Sequence, residues 1–270
     1  MSLAKLRVAQ ERTGSLLSVG LEPCPEYQPE GFAPDIEGYE RFLRVIIAAT
    51  AGKVSAYKFN LAFFEALGAP GMELLYKIRE SIPDEALLIA DAKRGDIGST
   101  AKQYARALYD ELGADATTLN PLMGFDSAEP FLERIDKLNF FLVLTSNPGA
   151  RDFLLVDNLY LNIAAKVAQW NVAGNCGFVT GATRPEQLGE LRRIAPNVPF
   201  LVPGIGAQGG DLDATIREGQ FAGDAFSGIV LHVTRGILPA KDEHGDAGEI
   251  IARKTAEWNK RIAKGRAYAR

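Results

Sequence analysis

The chain has 270 residues, 47% of them hydrophobic and 24% charged. That is the usage of an ordinary globular protein long enough to bury most of its unfolded surface, so disorder, collagen and coiled coil are excluded. Thirty Lys and Arg against 34 Asp and Glu leave a net charge of −4, which provides no global field for nucleic acid or an anionic membrane; any anionic ligand must be held by a local pocket.

Residues 1–14 interleave Lys5, Arg7, Glu11 and Arg12 with apolar positions and hold no continuous apolar run of the leader type. No stretch approaches the roughly 18 apolar residues of a spanning helix. Cys24 and Cys176 are the only cysteines and His232 and His244 the only histidines, too few for a common Cys/His zinc site or a disulfide framework. The expectation is a cytoplasmic protein with reduced thiols and no nucleic-acid or membrane partner.

Apolar runs rich in β-branched and aromatic residues follow in chain order at 16–21, 54–59, 87–90, 116–119, 140–144, 176–179, 200–202 and 228–233. They are separated by helical patterns, among them 39–51, 71–81, 100–112, 159–170 and 185–194, rather than by hairpin turns. Continuous apolar runs fit parallel strands covered on both faces. Eight such units predict an α/β fold, a closed (β/α)8 barrel over residues 1–270 as a single domain. An open doubly wound sheet stays the alternative, because periodicity does not decide closure. The basic tail at 260–270 reads as a solvated helix end.

In either architecture the ligand lies beyond the carboxyl ends of the strands. Polar residues gather there: Glu22 after the first run, Lys58 and Asn60 after the second, Asp91, Lys93 and Asp96 after the third, Ser146 and Asn147 after the fifth, Gln208 after the seventh and Arg235 after the eighth. In strand geometry residues 91 and 93 face the same side. A generic Asp-x-Lys is a surface ion pair, but Lys58 at the neighbouring strand end makes a row of alternating charges that hold one another ionised in a partly desolvated pocket. Such a row suits a reaction passing through a carbanion.

The segment Pro203-Gly204-Ile205-Gly206-Ala207-Gln208-Gly209-Gly210-Asp211 lets backbone approach a ligand closely but lacks the context of a dinucleotide fingerprint. Phosphate in barrels commonly sits between the loops after strands seven and eight, and Arg235-Gly236 supplies a guanidinium there. Ser146-Asn147-Pro148-Gly149 is first a turn signal; at a strand end it is also placed to read the polar edge of a heterocyclic base. His232 lies inside an apolar run and reads as a satisfied core or wall histidine rather than a catalytic one.

Five motifs in order, Tyr57-Lys58-Phe59-Asn60, Asp91-Ala92-Lys93-Arg94-Gly95-Asp96-Ile97, Thr145-Ser146-Asn147-Pro148-Gly149, the Gly-rich segment after Val202 and Thr234-Arg235-Gly236, give the chain a resemblance to the orotidine 5′-phosphate decarboxylase family over almost its whole length. The wording around Lys58 and Ser146 is similar to the longer bacterial, stand-alone branch. The resemblance implies a homodimeric barrel without cofactor or metal, converting orotidine 5′-monophosphate to uridine 5′-monophosphate and carbon dioxide in pyrimidine biosynthesis. Lys58, Asp91, Lys93 and Asp96 match the family's charge network, with Lys93 as proton donor to a carbon-six carbanion. Asp96, Ile97 and Thr100 are implied to act in trans, in the partner subunit's site. Ser146 matches the pyrimidine contact, Pro203 a residue beside the base, Gln208 and Arg235 the phosphate grip, and Lys58 and Asn60 lie near the ribose. The loop at 208–213 is expected to close over the phosphate. Glu22 stands where the family usually has a ribose-binding aspartate, which moves the carboxylate by about one methylene and implies adjusted affinity. A sugar-phosphate decarboxylase or aldolase of the same superfamily, working through a magnesium-bound enediolate, shares Asp-x-Lys-x-x-Asp; Lys58 with Asn60 and the Ser146 turn argue against it. A nucleotide-binding protein without turnover is the other alternative, and retention of both lysines and both acids argues against that.

Overall fold

The computed structural model describes residues 2–206, 209–221, 226 and 228–268. Eight parallel strands pair in chain order, β1 (Leu17–Leu21), β2 (Ala56–Asn60), β3 (Leu87–Arg94), β4 (Ala116–Leu119), β5 (Leu138–Leu144), β6 (Cys176–Thr180), β7 (Phe200–Pro203) and β8 (Ile229–Val233). β8 pairs back onto β1 with Ser18 opposite His232. The sheet is therefore a closed barrel, not the open alternative.

Ten helices accompany the strands: α1 (Ser2–Thr13), α2 (Ile36–Thr50), α3 (Leu61–Glu65), α4 (Gly68–Arg79), α5 (Gly98–Arg106), α6 (Phe125–Leu132), α7 (Leu159–Trp170), α8 (Pro185–Ile194), α9 (Leu212–Gly219) and α10 (Ala247–Tyr268) among the described residues. The helix expected over 100–112 divides into α5 and a five-residue π segment, Ala107–Glu111. α2 shows the logic of the outer ring. Asp35 accepts from Gly38 N at 2.8 Å and starts the helix, and Tyr39, Phe42, Leu43, Ile46 and Ile47 make the buried stripe at helical spacing. Among the described residues no helix is long and apolar enough to cross a membrane.

Alternation along the strands sorts the core into two clusters. Leu17, Val19, Tyr57, Phe59, Leu88, Phe141, Phe178 and Phe200 point outward and pack under the helices. Ala56, Leu87, Ile89, Ala116, Leu138, Phe140, Leu201 and Val230 fill the bore together with Leu6 of α1. α1 thus stoppers the amino-terminal end of the barrel. It is tied there by Ser2 N and Oγ to Asp136 O, both at 2.7 Å, by Lys5 Nζ to Asp115 Oδ2 at 2.6 Å and by Gln10 Nε2 to Ile229 O at 2.7 Å. At the other end the bore changes from hydrocarbon to charge.

Candidate active site

The change occurs one step above Ile89 on β3, where the next inward residue is Asp91. Its carboxylate is the hub of the barrel mouth. Oδ2 accepts from Lys58 Nζ at 2.8 Å, and Oδ1 accepts from Lys93 Nζ at 2.7 Å and from Thr118 Oγ1 at 2.8 Å. Burial alone would push the Asp91 carboxyl up, but Lys58 and Lys93, by charge and by hydrogen bond, outweigh it and hold the group well below the usual carboxylate range. Lys58 is almost wholly buried, whereas the Lys93 side chain is 50% exposed to the mouth. One lysine is structural to the array and the other faces whatever enters.

The pairing of Lys93 with Asp91 is as expected, but the backbone reaches it by another route. β3 continues past the expected end at residue 90 to Arg94, and its register with β4 slips between Ala90 and Arg94. Lys93 has φ 48°, in the left-handed region that a non-glycine residue seldom occupies. Its amide donates to Thr118 Oγ1 at 2.9 Å. A single hydroxyl on β4 therefore fixes both the backbone of Lys93 and the carboxylate of Asp91. Thr118 was absent from the sequence reading; its only signal there was its place near the end of an apolar run.

Glu22, just past β1, lies 3.9 Å by Oε1 from Lys58 Nζ. Burial raises its pKa and Asp91 adds to the rise, while Lys58, Lys93 and Arg235 oppose it. Asn60 ends β2 opposite Asp91, and although it occupies the cap position of α3 its side chain makes no capping bond, so its amide is available to the mouth. Glu22, Lys58, Asn60, Asp91, Lys93, Ser146 and Pro203 line one cavity of about 370 Å3, joined by Thr118, Thr145, Asn147 and His232. The Ser146 segment is a turn, and its serine is at the cavity wall. Asn147 precedes a 3-10 turn with proline at its start, and Ser146 faces the cavity, held close by Gly181, where a Cβ would stand 2.7 Å from the serine Cβ.

A second cavity of about 160 Å3 adjoins the first and shares Glu22, Pro203 and His232 with it; Arg235, Thr234, Gly204, Gly206 and Tyr27 are also in its wall. Arg235 thus stands beside Gly204 and Gly206 of the Gly-rich segment. Gln208 lies outside the described residues. The segment expected to close as a loop over 208–213 is shorter than that: Asp211 Oδ1 accepts from Ala214 N at 3.0 Å, capping α9, so Leu212 and Asp213 already belong to its first turn.

Asp96, Ile97 and Thr100 do not join the array of their own chain. Asp96 Oδ1 accepts from Ile97 N at 2.8 Å and makes no ion pair among the described residues, Ile97 is 52% exposed, and Thr100 is exposed on the first turn of α5. His232 is bonded on both ring nitrogens, Nδ1 to Ser18 Oγ and Nε2 to Thr234 Oγ1, each at 3.3 Å. Burial, then the charge of Lys58, holds its pKa well below the ordinary histidine value, so the wall histidine is neutral.

Comparison with known proteins agrees with this geometry. An orotidine 5′-phosphate decarboxylase of Dehalococcoides mccartyi is 49% identical over 263 residues, which cover 94% of this chain and 93% of that protein. The structure of an OMP decarboxylase of Leishmania donovani superposes with a TM-score of 0.84 at 34% identity over 98% of each chain. The UMP synthase of the same organism superposes at 0.86 with 36% identity, and there the present chain spans 98% of its own length but 56% of the other. The profile of the Orotidine 5′-phosphate decarboxylase / HUMPS family matches residues 16–250, so the chain whose barrel mouth carries Lys58, Asp91 and Lys93 belongs to that family.

Proposed function

We propose that the protein is a cytoplasmic orotidine 5′-monophosphate decarboxylase that forms uridine 5′-monophosphate and carbon dioxide without metal or cofactor. The Lys58–Asp91–Lys93 array beside a cavity closed by Arg235 carries this reading. In it the phosphate is gripped by Arg235 with Gln208, the ribose lies against Glu22, Lys58 and Asn60, and the pyrimidine is read by Ser146 and flanked by Pro203. The substrate carboxylate is placed against Asp91. The bond from carbon six to the carboxyl carbon breaks, carbon dioxide departs, and the electron pair left on carbon six takes a proton from the Lys93 ammonium, which solvent later restores. Preorganised cationic charge beside the developing carbanion is the main stabilising effect. Binding energy from the remote phosphate holds the reacting end in place.

The array of one chain holds Asp91 between two lysines but lacks Asp96. We infer that the enzyme is a homodimer in which Asp96, Ile97 and Thr100 complete the site of the other subunit; their position outside their own mouth supports this. The two free thiols, Cys24 and Cys176, fit a reducing compartment.

The test is the ultraviolet absorbance of orotidine 5′-monophosphate mixed with purified protein in excess EDTA, with uridine 5′-monophosphate identified by chromatography. Conversion is expected. Failure of the folded protein to convert it, or conversion abolished by the chelator, would overturn the reading and favour a metal-dependent sugar-phosphate reaction of the same barrel.

A further inference from the structure

His232 is a titratable side chain of the mouth that the mechanism leaves without a task, and it stands where the two cavities meet. It lines both of them. It sits opposite Ser18 of β1 on one side and Pro203 of β7 on the other. One ring nitrogen reaches back into the barrel wall, to Ser18 Oγ, and the other reaches forward to Thr234 Oγ1, at 3.3 Å each. Thr234 lines the smaller cavity beside Arg235. A neutral imidazole has one donor and one acceptor, so the two hydroxyls must bond it in opposite senses.

We propose that Ser18 donates to Nδ1, that Nε2–H donates to Thr234 Oγ1, and that the Thr234 hydroxyl proton is thereby left to point into the smaller cavity as a phosphate-binding donor beside Arg235. His232 is then a positioning residue and Thr234 a further substrate-binding residue. This rests on the decarboxylase reading for the identity of the phosphate, and on geometry for the rest. The opposite sense would turn the Thr234 proton back onto the ring and present only lone pairs to an anion. A protonated ring would free the Thr234 proton as well, but burial and the neighbouring Lys58 hold the ring neutral, with Lys93 acting in the same direction and Asp91 and the Ser18 backbone against it.

The wall is shaped for this contact. Gly20 of β1 lies under Thr234, and a Cβ placed on it would fall 2.0 Å from Thr234 Oγ1 and 3.1 Å from His232 Cε1. The absence of a side chain at position 20 leaves the space that the hydroxyl and the ring occupy. Thr234 is thus seated by Gly20 of β1 and His232 of β8 before any ligand arrives, which is the preorganisation that a charged hydrogen bond needs.

The experiment compares orotidine 5′-monophosphate with orotidine, which lacks the phosphate, in wild type, Thr234→Val, His232→Phe, His232→Gln and the Thr234→Val/His232→Phe double variant. Thr234→Val is expected to shrink the advantage in kcat/KM of the phosphorylated substrate over the nucleoside by about tenfold, the size of one lost hydrogen bond to a charged group. His232→Phe is expected to do the same, with the effect in KM rather than kcat, and the double variant is expected to be no worse than either single one. His232→Gln keeps a donor near Thr234 and is expected to recover most of the loss. Equal penalties on both substrates, or additive penalties in the double variant, would overturn the proposal. If wild type turns over neither substrate, the decarboxylase reading fails separately, and the same variants are then titrated with uridine 5′-monophosphate and uridine: an unchanged preference for the monophosphate in Thr234→Val would overturn the assignment.

Discussion

Lys93 Nζ lies 2.7 Å from Asp91 Oδ1 across a backbone that has left the strand conformation, with Lys93 at φ 48°. A left-handed lysine costs about 1 kcal/mol or more, and it is held by the Thr118 hydroxyl, which accepts its amide proton at 2.9 Å. The strain falls on the residue that the proposed mechanism asks to deliver a proton, and it turns that side chain onto Asp91 rather than along the strand.

Removing the ammonium should separate chemistry from binding. Lys93→Ala is expected to lower kcat by about a thousandfold or more while the dissociation constant of uridine 5′-monophosphate, measured by calorimetry, stays within about tenfold. Loss of both together would mean that Lys93 is structural.

Arg235→Ala should have the complementary signature. KM for orotidine 5′-monophosphate is expected to rise by about ten- to a hundredfold, the range of a hydrogen bond to a charged phosphate, with a smaller change in kcat. An unchanged KM in steady-state assays would take Arg235 out of the phosphate site.

The position of Asp96 outside its own mouth predicts complementation between subunits. Lys93→Ala and Asp96→Ala proteins, each nearly inactive alone, are expected to regain about a quarter of wild-type activity after mixing and re-equilibration. Half of randomly re-paired dimers are mixed, and each mixed dimer holds one intact site of two. No recovery in mixtures that demonstrably exchange subunits would place Asp96 in its own chain's chemistry.

His232 should leave a mark on stability as well. Its folded pKa lies below the ordinary value, so between about pH 6.5 and that lower value the unfolded chain binds a proton that the folded chain does not. Stability therefore rises with pH through this window and falls as the medium is acidified, by at most about 1.4 kcal/mol per pH unit from this group. Urea midpoints from pH 7 down to pH 5 are expected to fall less steeply in His232→Phe than in wild type; parallel curves would show that the ring titrates normally.

Most of the barrel was legible because its strands are apolar on both faces and its helices carry stripes. The helices at 159–170 and 185–194 have the expected bounds, and the polar residues at the strand ends named the mouth. What escaped detection depended on tertiary context. α1 buries only Ser2, Leu6, Ala9 and Gln10, too thin an apolar face to announce a helix whose partner is the floor of a barrel. α6 carries Pro130 inside eight residues, a residue that argues against a helix wherever packing does not override it. The left-handed turn at Lys93 left no trace in composition because lysine, unlike glycine or asparagine, does not advertise that conformation. His232 was read as a core or wall residue, and it lines the cavity wall. Its contact with Thr234 depends on the empty space above Gly20, a relation between the first and last strands that distance along the chain hides.

Leu6 gives the barrel a floor. It is wedged against Ala56, Leu87, Ala116 and Leu138, and α1 is fastened beneath by the contact of Lys5 with Asp115. A molecule released beside Lys93 therefore meets close-packed hydrocarbon on one side and solvent on the other. In the proposed reaction carbon dioxide and nucleotide both leave through this mouth. A ligand or crowding agent that slows passage through the mouth is expected to detain both products, and back-reaction measured with labelled carbon dioxide would rise with it.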